Sequence, residues 1–242
     1  MRLVDLFSML PLGVQHTLAK TYLFRELKNK VTIRVKGLEI LEETEGPCIF
    51  VANHLSNLDG VVLTRLLKKK FDPYFVAGIK LSGDNFTRFF KNLIKTIDIK
   101  PNTADLESIK NIINTLKGGE SIMMFPEGTR SRTGQMIEAK KGITLIARMA
   151  KVPIVPIALM GTEKVVPIDE QMDRERIIPG HVDVVVGKPF YLAKKRPDED
   201  KHDFEDRAIN DLMNHIAVNL RPEYRGIYDG KLDEVVPNLD PK

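Results

Sequence analysis

From residue 31 onward, short apolar runs alternate with amphipathic segments, and this alternation constrains the fold more than any other feature of the chain. Segments with apolar residues at helical spacing predict helices over 58–67, 86–94, 106–116, 143–150 and 204–220. Strands that alternate with helices form parallel sheets covered on both faces. We therefore predict an α/β domain over 31–242, with a mostly parallel central sheet whose strands lie at 31–35, 48–52, 74–79, 97–99, 121–125, 154–159 and 182–186.

The first 30 residues carry a different pattern and predict an amphipathic helical pair. The first apolar stripe consists of Leu3, Leu6, Phe7 and Leu10. Pro11 and Gly13 interrupt the pattern, and a second stripe runs from Val14 to Leu27. Residues 1–36 contain seven Lys or Arg against two acidic residues, which gives +5, while the rest of the chain sums to 30 − 31 = −1. Two interpretations remain open. Residues 1–30 form a membrane-association segment that lies in the plane of one leaflet, or they form ordinary helices that cap the core.

Composition excludes several classes of protein. A hydrophobic fraction of 43% excludes a mainly disordered chain, and the single Cys48 excludes a disulfide scaffold. No apolar stretch reaches the roughly 18 residues that span a bilayer, and the basic residues follow the first apolar stretch, unlike those of a secretory signal. Because the net positive charge comes from the N-terminal segment, we expect a membrane surface and no nucleic acid as partner.

Two strand-to-helix junctions carry the candidate chemistry, and the first follows the strand at 48–52. His54 ends this strand and Asp59 begins the next helix. Five residues advance an α-helix by about 500°, so the two side chains cannot share one helical face, but they can meet across a turn. The carboxylate would then orient the imidazole and stabilise its protonated form. The alternative is that Asn57 or Asp59 caps the helix and His54 is an ordinary loop residue.

The second junction follows the strand at 121–125 and reads Phe-Pro-Glu-Gly-Thr-Arg-Ser over residues 125–131. A glycine-containing turn with an arginine at a strand end is a candidate anion site, because guanidinium groups bind phosphate with two hydrogen bonds. An ordinary turn with a solvated Arg130 is the alternative. No Gly-x-Ser-x-Gly, phosphate-binding loop or dinucleotide-binding signature is present, and the other histidines lack metal-ligand spacing. We expect no metal and no bound cofactor.

Taken together, Asn-His-x-x-x-x-Asp over 53–59 and Phe-Pro-Glu-Gly-Thr-Arg-Ser over 125–131 resemble the glycerolipid acyltransferase family, most of all its lysophosphatidate acyltransferases. Ala139–Gly142 is similar to the family's Phe-Lys-x-Gly segment, and residues 152–157 are similar to its Val-Pro-Ile-x-Pro strand. The resemblance covers roughly 30–190. In the block that corresponds to 94–100, only the basic last position, Lys100, is kept.

The resemblance implies roles for individual residues. His54 is the expected general base and Asp59 the group that orients it. Arg130 is expected to bind the phosphate of the acceptor, with help from Lys100 and Lys80. Glu127 and Gly128 are expected to shape the glycerol site, with Glu127 accepting a hydrogen bond from a hydroxyl. Thr129 of the same motif is also expected to bind substrate.

The implied reaction moves a fatty acyl group from a thioester, acyl-CoA or acyl-carrier protein, to the free hydroxyl of 1-acyl-glycerol-3-phosphate, giving phosphatidic acid. Because the acceptor and the product reside in membranes, we expect a monotopic enzyme at the cytoplasmic face. Two other readings stay open. One is an acyltransferase for glycerol-3-phosphate or another lyso-lipid, and the other is a non-enzymatic protein that binds anionic lipids.

Overall fold

A computed structural model of the chain describes residues 12–78, 94–100, 105–168 and 177–232. The strands in these ranges form one seven-stranded sheet. Every predicted strand is present, and each begins and ends within two residues of its predicted limits. In chain order the strands are β1 (Val31–Lys36), β2 (Ile49–Ala52), β3 (Tyr74–Gly78), β4 (Thr96–Ile99), β5 (Ile122–Met124), β6 (Ile154–Met160) and β7 (Gly180–Val186).

The strand order is β1-β7-β6-β2-β5-β3-β4, and neighbouring strands are parallel except for the antiparallel pair β6 and β7. The prediction of a mostly parallel sheet is therefore confirmed. Strand β2 lies at the centre, between β5 and β6. Since β2, β5 and β6 run in the same direction, the loops that follow them leave the same edge of the sheet, where ligands bind in folds of this kind.

Helices cover both faces of the sheet, as predicted. In β2, Ile49 and Val51 pack into the core on one face, while Phe50 and Ala52 pack into the core on the other. A strand that is apolar on both sides fits this position because neither of its faces meets water. The helices are α1 (Leu12–Lys30), α2 (Leu38–Glu43), α3 (Leu58–Leu67), α4 (Leu106–Lys117), α5 (Gly142–Ala150), α6 (Thr162–Val165) and α7 (Lys201–Ala217), followed by a 3₁₀ helix (Pro222–Tyr224).

Most predicted helices agree with these limits, and α3 has the predicted limits of 58–67. Helices α2 and α6, of six and four residues, were not predicted because they are too short to show a helical period. The predicted helix over 86–94 lies outside the described residues except for its last position.

The predicted N-terminal pair of helices is only partly within the described chain. Its first stripe, 3–10, lies outside the described residues, while the second lies in α1. Gly13 is the second residue of α1 and does not interrupt it. Leu27, near the end of α1, is 4% exposed and packs in the core. The packed core therefore begins before residue 31.

Among the helices of the described chain, none has the length and the apolar character needed to cross a membrane.

Candidate active site

His54 and Asp59 meet at the end of β2. His54 follows the strand, a turn reverses the chain, and Asp59 is the second residue of α3. His54 Nδ1 lies 2.8 Å from Asp59 Oδ2. The same oxygen accepts hydrogen bonds from the backbone N–H groups of Leu55 at 2.6 Å and Ser56 at 2.8 Å. The Asp59 side chain is fully buried, whereas that of His54 is 19% exposed.

This arrangement fixes the tautomer of the neutral histidine. A carboxylate only accepts hydrogen bonds, so Nδ1 of His54 carries the proton that faces Asp59. The lone pair of the ring then belongs to Nε2. The two backbone N–H groups orient the carboxylate independently of the imidazole.

The loop after β5 holds His54 from a second direction. The ring of Phe125 stacks on the His54 ring, with 3.9 Å between the centroids. The His54 carbonyl accepts a hydrogen bond from Ser131 N at 2.7 Å, and the His54 N–H donates to Glu127 Oε1 at 2.9 Å. The two sequence motifs, some 73 residues apart along the chain, are therefore hydrogen-bonded to each other.

Glu127 lies in a different environment from the one expected. It is 1% exposed, and its second oxygen accepts a hydrogen bond from Ile137 N at 3.2 Å. Burial raises the pKa of Glu127, and the hydrogen bonds from the N–H groups of His54 and Ile137 oppose this effect by stabilising the ionised carboxylate. The expected hydrogen bond from an acceptor hydroxyl to Glu127 is therefore not supported, because both carboxylate oxygens face backbone amides in the interior.

His54 opens onto a cavity of about 430 Å³. The cations of its lining, Arg130, Lys140 and Lys100, are exposed or half-buried and therefore lie toward its opening, as do Thr129 and the acidic Asp105. Ser108 is a buried polar residue of the lining. The rest is mostly apolar and is deepest at Ile112, Ile143 and Ile146, which are at most 3% exposed. A charged opening therefore leads past the histidine into an apolar interior.

The expected phosphate-binding residues take different positions. Arg130 and Lys100 both line the cavity that contains His54. Lys80 lies outside the described residues. Gly128 and Thr129 are exposed and also line the cavity. Gly128 has a φ of +69°, in the left-handed region that favours glycine, so its turn requires this residue type.

Sequence reasoning gave no role to three residues that the structure places at the site. Phe125 covers the His54 ring. Asn53 is fully buried and bonds to β6 through Leu159 N at 2.8 Å and Leu159 O at 2.9 Å. Lys140 lines the cavity beside Arg130. All three lie within the motif segments of the sequence. Their place in a motif, and not their chemistry, could therefore have indicated a role at the site.

A second cavity, of about 490 Å³, is lined in part by residues 131–134 and by neither His54 nor Arg130. Two of its acidic residues already have partners. Glu163 accepts a hydrogen bond from the Tyr224 hydroxyl, and Glu223 pairs with Arg221. The two cavities are similar in volume, and we assign the chemistry to the one that the imidazole faces.

Comparison with known proteins shows the family of the chain. Residues 32–160 match the family model described as Acyltransferase. Similar curated proteins include the chloroplastic 1-acyl-sn-glycerol-3-phosphate acyltransferases of Brassica napus, 33% identical over 66% of this chain and 45% of that one, and of Arabidopsis thaliana, 31% identical over 74% and 49%. The chain spans about half the length of these curated relatives.

A solved structure shares the fold. The crystal structure of the 1-acyl-sn-glycerophosphate acyltransferase PlsC from Thermotoga maritima matches with a TM-score of 0.55 and 24% identity, over 80% of this chain and 71% of that one. The family model covers more than half of the chain and contains both motifs. The chain therefore belongs to the Acyltransferase family.

Proposed function

We propose that the protein transfers a fatty acyl group from a thioester donor to the free hydroxyl of 1-acyl-glycerol-3-phosphate, giving phosphatidic acid. One observation carries the proposal: the His54–Asp59 pair faces a cavity that is cationic at its opening and apolar inside. The acceptor's phosphate needs the cationic surface, and the donor's fatty acyl chain needs the apolar one. Relatives named 1-acyl-sn-glycerol-3-phosphate acyltransferases support the same substrate class.

In the proposed mechanism, His54 Nε2 removes the proton of the acceptor hydroxyl while that oxygen attacks the thioester carbonyl. The Asp59 carboxylate, 2.8 Å from Nδ1, stabilises the imidazolium that forms. The tetrahedral intermediate then expels the thiolate, and the imidazolium returns the proton to its sulfur. The proposal includes no protein nucleophile, so both substrates bind together and no acyl-enzyme forms.

The donor's fatty acyl chain is proposed to occupy the apolar part of the cavity. Its walls come from β3 and β4 and from the facing sides of α4 and α5. This location brings the thioester carbonyl to the histidine at the cavity's polar end. The donor is a thioester, acyl-CoA or acyl-carrier protein, and it acts as a co-substrate.

The acceptor's phosphate is proposed to bind at the opening of the cavity, between Arg130 of the second motif and Lys140. Lys140 N donates to Pro126 O at 2.8 Å, so the two segments lie together. Its Cγ is 3.4 Å from the position of a Cβ on Gly128. Lys100, and Lys80 as expected from the sequence, complete the proposed set of cations.

The first experiment measures thioester release with lysophosphatidate and glycerol-3-phosphate in parallel. We expect faster release with lysophosphatidate, and His54→Ala should lower turnover by about 10²–10⁴-fold while the circular-dichroism spectrum stays unchanged. Faster release with glycerol-3-phosphate would reassign the acceptor. Absence of thioester release, together with salt-sensitive vesicle binding, would favour the alternative of a non-enzymatic binder of anionic lipids.

The second experiment tests the phosphate site. Arg130→Ala should raise the acceptor KM by about 10- to 100-fold, because it removes a charge-assisted bidentate contact, and Lys140→Ala should raise it less. Lys141→Ala is the matched control. Lys141 follows Lys140 in the sequence, but it does not line the cavity, and it forms an ion pair with Asp206. A change confined to the donor KM would contradict the assignment.

The basic N-terminal segment is proposed to hold the cavity opening at the membrane surface, with the protein in one leaflet at the cytoplasmic face. Removal of residues 1–20 takes away the first apolar stripe and two of the seven basic residues of 1–36, and should shift the protein from anionic vesicles to the supernatant in sedimentation. This cut is shorter than the 30-residue segment because Leu27 belongs to the core and must stay. Unchanged binding to vesicles would contradict the proposal.

A further inference from the structure

Glu127 is a carboxylate buried between two loops. Its Oε1 accepts a hydrogen bond from His54 N at 2.9 Å and its Oε2 accepts one from Ile137 N at 3.2 Å. Phe125, Pro126 and residues 128–130 line the cavity that contains His54, but Glu127 does not line it. The side chain therefore points away from the substrates, toward the backbone.

Glu127 binds the backbone N–H group of His54. The N–H of His54 donates to Glu127, and its carbonyl accepts from Ser131 N at 2.7 Å. Both partners belong to the loop after β5, as does Phe125, on which the imidazole stacks. Because a side chain starts from its own Cα, a shift of this backbone moves the imidazole relative to Asp59 and to the cavity.

We propose that Glu127 is a positioning residue that fixes His54 by bonding its amide and that of Ile137 at the same time, and that it does not contact the acceptor. The proposal rests on the proposed function, in which His54 is the base. A carboxylate suits this position because both of its oxygens accept hydrogen bonds. Glutamine supplies one oxygen only, and its NH₂ group would face one of the two N–H donors.

The kinetic experiment compares Glu127→Gln and Glu127→Asp with the unchanged protein. We expect kcat to fall by about 100-fold in Glu127→Gln, because small misplacement of a catalytic group costs that much, while the acceptor KM stays within about threefold. Glu138→Gln is the control, since Glu138 is an exposed acid next to Ile137 and should change neither value. A rise in acceptor KM at constant kcat, or no change in either, would overturn the proposal.

A second readout does not depend on turnover. The Nδ1 proton that His54 shares with Asp59 should give a downfield NMR signal, which His54→Ala assigns by its loss. We expect this signal to shift or broaden in Glu127→Gln and to stay unchanged in Glu138→Gln. If the unchanged protein releases no thioester, the proposed function fails while this test still decides the position of His54.

Glu127→Asp guards against a Gln variant that does not fold. Aspartate keeps the charge but is one methylene shorter, so it cannot reach both N–H groups. It should show the same loss of kcat and the same change in the NMR signal. A folded Glu127→Asp with an unchanged signal and unchanged kcat would overturn the proposal.

Discussion

At the scale of single residues, Asp59 concentrates its hydrogen bonds on one oxygen. Oδ2 accepts from His54 Nδ1 and from two backbone N–H groups, while Oδ1 has no hydrogen-bond partner among the described residues. The hydrogen bonds from the backbone hold the carboxylate in place. The imidazole therefore binds an oxygen whose position does not depend on the imidazole. Position and charge are therefore separable properties of this residue.

Asp59→Asn tests the charge alone. The amide oxygen can replace Oδ2 and keep the backbone bonds, but the variant cannot stabilise an imidazolium by charge. We expect kcat to fall by about 10³–10⁴-fold, as for other His–Asp pairs, with a similar midpoint of thermal unfolding. Steady-state kinetics and calorimetry measure both quantities, and Asp203→Asn, an exposed residue of α7, is the control. Retention of a tenth or more of the wild-type kcat would contradict a charge role.

At the scale of elements, Asn53 extends the pairing of β2 with β6 beyond the last residue of the strand. Its amide bonds both the N–H and the carbonyl of Leu159. Asn53→Ala leaves both groups buried without their partner, so we expect the free energy of unfolding to fall by about 2–4 kcal/mol. Urea denaturation measures the loss. Asn111→Ala, on the exposed side of α4, should change stability by about 0.5 kcal/mol or less.

Sequence patterns predicted the elements well and the contacts between them less well. The limits of α3 and the strand runs follow from spacing, because apolar periodicity reports which side of an element is buried. The antiparallel direction of β7 was not predicted, because periodicity is the same whichever way a strand runs. Glu127 shows the same limit at the site. The resemblance implied contact with the acceptor, whereas the direction of the side chain depends on the N–H groups of His54, in the loop after β2, and of Ile137, ten residues farther along the same connection between β5 and α5.

At the scale of the whole molecule, the burial of a histidine makes the free energy of unfolding depend on pH. His215 in α7 stacks on Phe190 with 3.6 Å between ring centroids, and burial lowers its pKa from 6.5 to about 4. The nearest carboxylate oxygen, on Asp211, is 3.9 Å from Nε2 and too distant to hydrogen-bond. The folded protein therefore favours the neutral imidazole.

The sign of the effect follows from the two states. Below pH 6.5 the unfolded chain protonates His215, while the folded protein does so only near pH 4. The stabilising contribution is complete above pH 6.5 and is lost as the pH falls toward about 4. His215→Gln should make the free energy of unfolding less dependent on pH across this window. Urea denaturation across it checks the prediction, and His181→Gln, on an exposed histidine of β7, should leave the dependence unchanged.

The bonds that hold His54 and its neighbour Asn53 join residues at very different distances along the chain. Asp59 is five residues from His54, Glu127 is 73 residues from it, and Leu159 is 106 residues from Asn53. Local contacts form early in folding, whereas distant ones wait for loop closure. During refolding, helical signal and the His–Asp turn should therefore return first. Turnover should recover only in the last phase, when β5 and β6 dock on β2.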